Sequence, residues 1–197
     1  MDKMNKNILS RRRFIGMGLL SSGSILLLSG CNYLSTKSNW RFFTETEATL
    51  VDAIVEQIIP TDEWPGAKDA GVTNYIDIQL VGPLNRHQQE YRIGLAAIEA
   101  SCTKLYQKNF EKLSWENQTD FLMKMESGKL SGLQKEEGNT DKIWVEGADR
   151  AFFNLVRGNT MQGFYGSPRH GGNKNYVSYK MVGLDYPFII GQNRYKS

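Results

Sequence analysis

The chain has 197 residues, and the 167 that follow residue 30 are enough for one domain with a buried core. Its formal charge of +3 resides at the N-terminus. Residues 1–30 hold five basic and one acidic side chain of the chain's 24 and 21, which leaves 19 basic against 20 acidic beyond them. That net −1 removes the basic domain a nucleic-acid partner would call for, and two cysteines, one of them inside the N-terminal signal pattern, exclude a disulfide-stapled scaffold.

Residues 10–31, SRRRFIGMGLLSSGSILLLSGC, read as an address followed by an anchor. Arg11, Arg12 and Arg13 precede Phe14 and an apolar run, the arrangement of twin-arginine export signals. The run is diluted by glycine and serine and falls short of the ~20 apolar residues a spanning helix needs. It ends in Leu28, Ser29, Gly30 and Cys31, the pattern of a bacterial lipobox, so Cys31 is the expected lipidation site. Multiple acyl chains, at ~0.8 kcal/mol per buried methylene, would hold the chain to a membrane. The expected organisation is a signal peptide over 1–30, a lipidated cysteine and polar tether over 31–41, and a helical domain over 42–197. The expected location is periplasmic or otherwise extracytoplasmic, membrane-anchored.

Thr44 and Glu47 form a capping-box pattern, and Leu50, Val51, Ile54, Val55 and Ile58 follow at helical spacing until Pro60 stops the element. A loop over 61–67 leads to a second helix over 72–81, with Val72, Tyr75, Ile76 and Leu80 on one side. A long helix is predicted over 84–110, with Leu84, Tyr91, Leu95, Ile98, Cys102 and Leu105 inward. Cys102 then reads as a buried small hydrophobe rather than a nucleophile. Ser114 offers an N-cap to a helix carrying Phe121, Leu122 and Met125, and a charged, Gly-rich connection covers 127–141. The last helix is predicted over 143–156, ended by Gly158. Residues 163–187 read as an ordered aromatic, Gly-rich loop wrapped over the helices. The fold class is therefore all-α: a single compact helical domain of about five helices with an irregular aromatic and Gly-rich C-terminal region.

The chain resembles the gluconate 2-dehydrogenase subunit 3 family. The resemblance rests on Phe42, Phe43 and Thr44, on Ile58 to Asp62, on Gly66 and Ala67, on Ala70, Gly71 and Val72 with Tyr75, Ile76 and Asp77, and on Phe164 and Tyr165 through Pro168, Arg169, His170, Gly171, Gly172 and Asn173. It departs from the family where Ser167 precedes Pro168, where His170 stands for an aromatic residue, and where Tyr179 replaces a tryptophan. The resemblance implies a small, cofactor-free subunit that supports export, stability and membrane attachment of a flavoprotein dehydrogenase of the glucose-methanol-choline (GMC) type acting on a sugar or polyol. FAD is then expected in the partner, and haem c in a possible third subunit, a c-type cytochrome.

The residues themselves point the same way. Twin-arginine export serves cargo that folds first, commonly around a cofactor, yet this chain has no GxGxxG, CxxCH or GxxxxGK[ST] pattern. A folded-protein signal on such a chain suggests that it escorts a cofactor-bearing partner. Tyr165, Arg169, His170, Gly171, Gly172, Asn173 and Tyr176 are the candidate partner interface, having the aromatic and arginine character of interface anchors. No catalytic, cofactor-binding or metal-binding residue is assigned. The alternative is a free-standing periplasmic lipoprotein, an enzyme or binding protein using His170, Arg169 and Asp62 on a carbohydrate-like ligand. Against it, Asp62 after Pro60 reads as a turn cap, and Gly171 and Gly172 read as a tight turn admitting positive φ.

Overall fold

The computed structural model describes residues 39–135 and 141–184. The export residues Arg11, Arg12, Arg13 and Phe14, the lipidation site Cys31, and most of the tether lie outside the described residues. Within them are six α-helices, α1 (Glu45–Ile58), α2 (Val72–Leu80), α3 (Gln88–Tyr106), α4 (Trp115–Glu126), α5 (Ala148–Tyr165) and α6 (Val177–Met181). Short 3-10 turns occupy Asn85–His87, Phe110–Lys112, Pro168–His170 and Lys174–Tyr176. The one β feature among the described residues is an isolated antiparallel bridge between Gln134 and Lys142.

α1 begins where its capping box predicts. The Thr44 hydroxyl accepts from the Glu47 amide, and the Glu47 carboxylate accepts from the Thr44 amide at 2.8 Å, so two otherwise orphaned donors are satisfied. Ala48, Leu50, Val51, Ile54 and Val55 are buried, whereas Ile58, expected in the core, is only partly covered. Beyond Pro60 the Glu56 carboxylate accepts from the amides of Thr61 and Lys68, tying the following loop back to the helix. Ahead of Phe42, where the domain is predicted to begin, Trp40 packs on the core and the Arg41 amide is held by Asp77.

α5 is the hub, packed against α1, α2, α3, α4 and α6. Its contact with α3 is close because Gly94 has no side chain: an added Cβ would lie 2.5 Å from the Phe152 ring. A mid-helix glycine costs roughly 0.5–1 kcal/mol against alanine, which the burial of Phe152 and Tyr91 outweighs at roughly 1.5–3 kcal/mol per large apolar side chain. Tyr91 is fully buried, with its ring edge-on to Phe152 at 5.5 Å and its hydroxyl accepting from Asn159 at 2.8 Å. Asp149, also fully buried at the start of α5, accepts from the Leu130 amide and the Ser131 hydroxyl and so fixes the turn after α4.

The boundaries of α3 and α5 differ from the sequence reading, α3 starting at Gln88 after a 3-10 turn rather than at Leu84. α3 ends at Tyr106 rather than Phe110, because Gln107 takes a left-handed conformation (φ 55°) and Phe110 enters the core from its own 3-10 turn. Leu105, placed inward by its seven-residue spacing, is 41% exposed. α5 starts at Ala148 behind Gly147 (φ 75°), not at residue 143, and runs through Gly158 to Tyr165. Gly158 has nothing within 4 Å of an added Cβ, so it is a half-buried helical position with open space beside it rather than a terminator. The described part of the region from residue 163 accordingly completes α5 and then forms two 3-10 turns and α6.

Candidate functional site

The stretches that carry the family resemblance lie apart in sequence and meet on α2. From one side the Asp77 carboxylate, 1% exposed, accepts the amides of Arg41, Phe42 and Phe43 at 2.7, 2.8 and 2.9 Å. Arg92 of α3 closes this entry point: it donates to the Phe42 carbonyl and to Glu47, and its guanidinium sits 4.0 Å over the Phe42 ring. A charge buried on a single acceptor group is stable only when fully hydrogen-bonded, and three backbone donors meet that condition.

From the other side comes the turn of residues 168–174. Gly171 has φ +99°, a conformation that favours glycine, and its carbonyl accepts from the Asn74 side-chain Nδ2 at 2.8 Å. Gly172 has a different reason to be glycine, since an added Cβ would lie 2.2 Å from the Gly163 carbonyl on α5. Asn173 is fully buried; its Nδ2 donates to the Gly166 carbonyl at 2.9 Å and its Oδ1 accepts from the Ser178 amide at 3.0 Å. The Lys174 amide then donates to the Ala70 carbonyl at 2.9 Å, beside Gly71, which has φ 75°. Gly163 completes the contact by admitting the Tyr75 ring.

This geometry divides the expected interface residues. Gly172 and Asn173 are buried inside the domain, so they hold the turn and are not partner contacts. Tyr165, Arg169 and His170 are exposed, and Gly171 and Tyr176 are partly so. Arg169 Nε donates to His170 Nε2 at 3.2 Å. Asp62 does not join them in any hydrogen bond; it caps the Trp64 amide at 2.8 Å, as its place after Pro60 predicts. Cys102 is fully buried, and burial together with Glu99 and Glu111 pushes its thiol well above the ordinary range, away from nucleophilic use.

A family model described as gluconate 2-dehydrogenase subunit 3 matches residues 45–185. The chain belongs to the gluconate 2-dehydrogenase subunit 3 family. No curated protein and no solved structure matches it. In this subunit 3 chain the motif residues thus have structural duties that can be named: Phe42, Phe43 and Asp77 join the entering chain to α2, and Gly171, Gly172 and Asn173 join the C-terminal cap to α2 and α5.

A second surface was not legible in the sequence. α3, the segment before α5 and the first turns of α5 enclose an apolar groove of about 320 Å³, lined by Glu90, Ile93, Trp144, Val145, Ala151 and Leu155 among others. Ile93 and Val145 are 59% and 77% exposed. The spacing from Ile143 predicts a helix over residues 143–147, and an apolar rim on the loop they form gives no periodic signal.

Proposed function

We propose that this chain is the non-catalytic small subunit that supports export, stability and membrane attachment of a GMC-type, FAD-dependent sugar or polyol dehydrogenase. The observation that carries the reading is the family match over residues 45–185, which takes in every described helix. It is supported by the use the fold makes of the motif: Asp77 and Asn173 satisfy backbone groups and Asp62 caps a turn, while Arg169 and His170 face outward, where a partner can reach them. FAD belongs to the dehydrogenase subunit in this reading, and haem c to a cytochrome subunit that receives the electrons.

The arginines at 11–13 would address the chain to the twin-arginine translocase, with the folded flavoprotein carried alongside, and Cys31 would carry the lipid anchor. Co-expression with the flavoprotein subunit tests the association: the two copurify with flavin absorbance, whereas the chain purified alone shows none. Bound flavin or substrate oxidation by the lone chain would overturn the accessory role in favour of a free-standing enzyme. Fractionation tests the address. Replacing Arg11, Arg12 and Arg13 together by lysine keeps charge but removes the planar fork, so the flavoprotein should stay in the cytoplasm. Cys31→Ala should leave an exported, unanchored or unprocessed chain.

A further inference from the structure

We propose that residues 165–184 form a basic, tyrosine-rich face that docks on an acidic surface of the dehydrogenase subunit, an inference that rests on the function proposed above. Charge is segregated along this chain. Residues 150–184 contain Arg150, Arg157, Arg169, Lys174 and Lys180 and no aspartate or glutamate, while the other residues after position 30 hold 14 basic and 20 acidic side chains. Arg157 is neutralised by Glu126 of α4 at 2.9 Å. Arg169, Lys174 and Lys180 are exposed and enter no ion pair among the described residues.

Among the described residues, neighbouring elements do not cancel the charge. The bond from Lys174 to Ala70 brings up the loop carrying Lys68 and Asp69, which offset one another, and α2 meets the turn through Asn74, Tyr75 and Ile78, all uncharged. Apolar surface lies alongside: Tyr165 is 47% exposed, Val182 65% and Leu184 53%. A solvated charged face has no use for these side chains, whereas tyrosine and arginine with an apolar margin are the residues that concentrate binding energy in protein interfaces.

The backbone that carries two of these cations is also held in place. Arg169 sits in a 3-10 turn fixed by hydrogen bonds from the His170 amide to the Ser167 carbonyl at 3.1 Å and from the Gly171 amide to the Pro168 carbonyl at 3.0 Å, and Lys174 follows the buried Asn173. Cations carried on a fixed backbone suit the set positions of carboxylates on a folded partner better than the fluid headgroups of a bilayer. Such complementarity speeds encounter and sets register, and salt weakens it.

The test is co-expression of the full chain with its flavoprotein subunit, comparing wild type with the triple variant Arg169→Glu, Lys174→Glu, Lys180→Glu. Copurified flavin should fall by about tenfold or more in the variant, and wild-type association should weaken as salt rises. A control triple variant, Lys104→Glu, Lys108→Glu, Lys112→Glu, should retain the partner. Circular dichroism checks that each variant is folded, and glutamine replacements at 169, 174 and 180 serve if the charge reversal unfolds the chain. Full retention of the flavoprotein by the folded variant would overturn the inference while leaving the subunit role intact; a wild-type chain that brings down no flavoprotein would overturn both. Loss of binding to phosphatidylglycerol vesicles with unchanged partner retention would assign the face to the membrane and overturn it equally.

Discussion

The helical bundle and the motif contacts on α2 are held together by different physics. Around α5 the domain is closed by apolar area: Phe152, Val156, Ile54, Tyr91 and Ile98 are buried against one another, and the exact identity of a side chain matters mainly through its volume. On α2, by contrast, the entering chain and the C-terminal cap are held by single polar atoms and missing Cβ atoms: Asp77 with three amides, Asn173 with a carbonyl and an amide, and Gly172 against Gly163. A volume-driven core tolerates many sequences, whereas a contact made by one carboxylate or one glycine tolerates few. Recognisable residues therefore gather on α2 although no chemistry is assigned there.

The contrast can be broken at either end. The largest loss is expected in the bundle, where Phe152→Ala removes a ring packed against Tyr91, Trp144 and Gly94 and should cost roughly 3–5 kcal/mol in urea unfolding. Phe152→Leu should recover much of this, as volume-conserving changes do. Asp77→Ala comes next, at roughly 3 kcal/mol, because it strands up to three backbone donors in a partly or fully buried setting. Asp77→Glu should recover little, since an extra methylene moves the carboxylate off all three amides. Equal rescue by both conservative changes would erase the distinction.

A pair of glycines sharpens it. Gly172→Ala should cost roughly 1–3 kcal/mol by driving the cap off α5, with loss of the ordered signals of residues 168–181 before the bundle melts. Gly158→Ala, in the same measurement, should stabilise by up to ~1 kcal/mol, since it fills an open helical position. Similar effects at the two sites would mean the cap does not bear on α5.

These cases also mark what the sequence could tell. Both ends of α1 were legible because Thr44 and Glu47 at its start and Pro60 beyond its end act locally, and α2 and α4 because their apolar spacing is short and clean. The end of α3 was not, since a left-handed Gln107 carries no glycine signal, and the extent of α5 was misread because Gly158 looks like a stop when its neighbours in space are unknown. In the candidate site the turn at Gly171 was legible from its glycines. That Gly172 and Asn173 face inward was not, because their partners, Gly163, Gly166 and Ser178, are close in space for reasons of tertiary docking alone. The groove beside Trp144 was missed on the same grounds.

The smallest expected effect separates two carboxylates on α1. Burial raises Glu47, but hydrogen bonds from Arg92 and from the Thr44 amide and hydroxyl outweigh it, and the carboxyl ends below its ordinary 4.5. Its contribution is present above that value and is lost as pH falls through the lowered one. Asp52 goes the other way: burial raises it from 3.8, helped by Glu56 and Asp69 and only partly offset by the Thr73 hydroxyl and Lys68. The folded state holds that proton more tightly, so stability from Asp52 is fully present below 3.8 and is lost as pH rises through the raised value. Glu47→Gln should therefore lower stability near neutrality and flatten the loss on acidification, whereas Asp52→Asn, which keeps an acceptor for Thr73, should hold or raise neutral stability and steepen that loss. Each difference should stay below about 1 kcal/mol, because water screens groups this close to the surface. Urea midpoints taken in steps from about pH 3 to about pH 7 read both variants against wild type; parallel profiles for the two would show that the Arg92 and Thr73 contacts do not set the carboxyls apart.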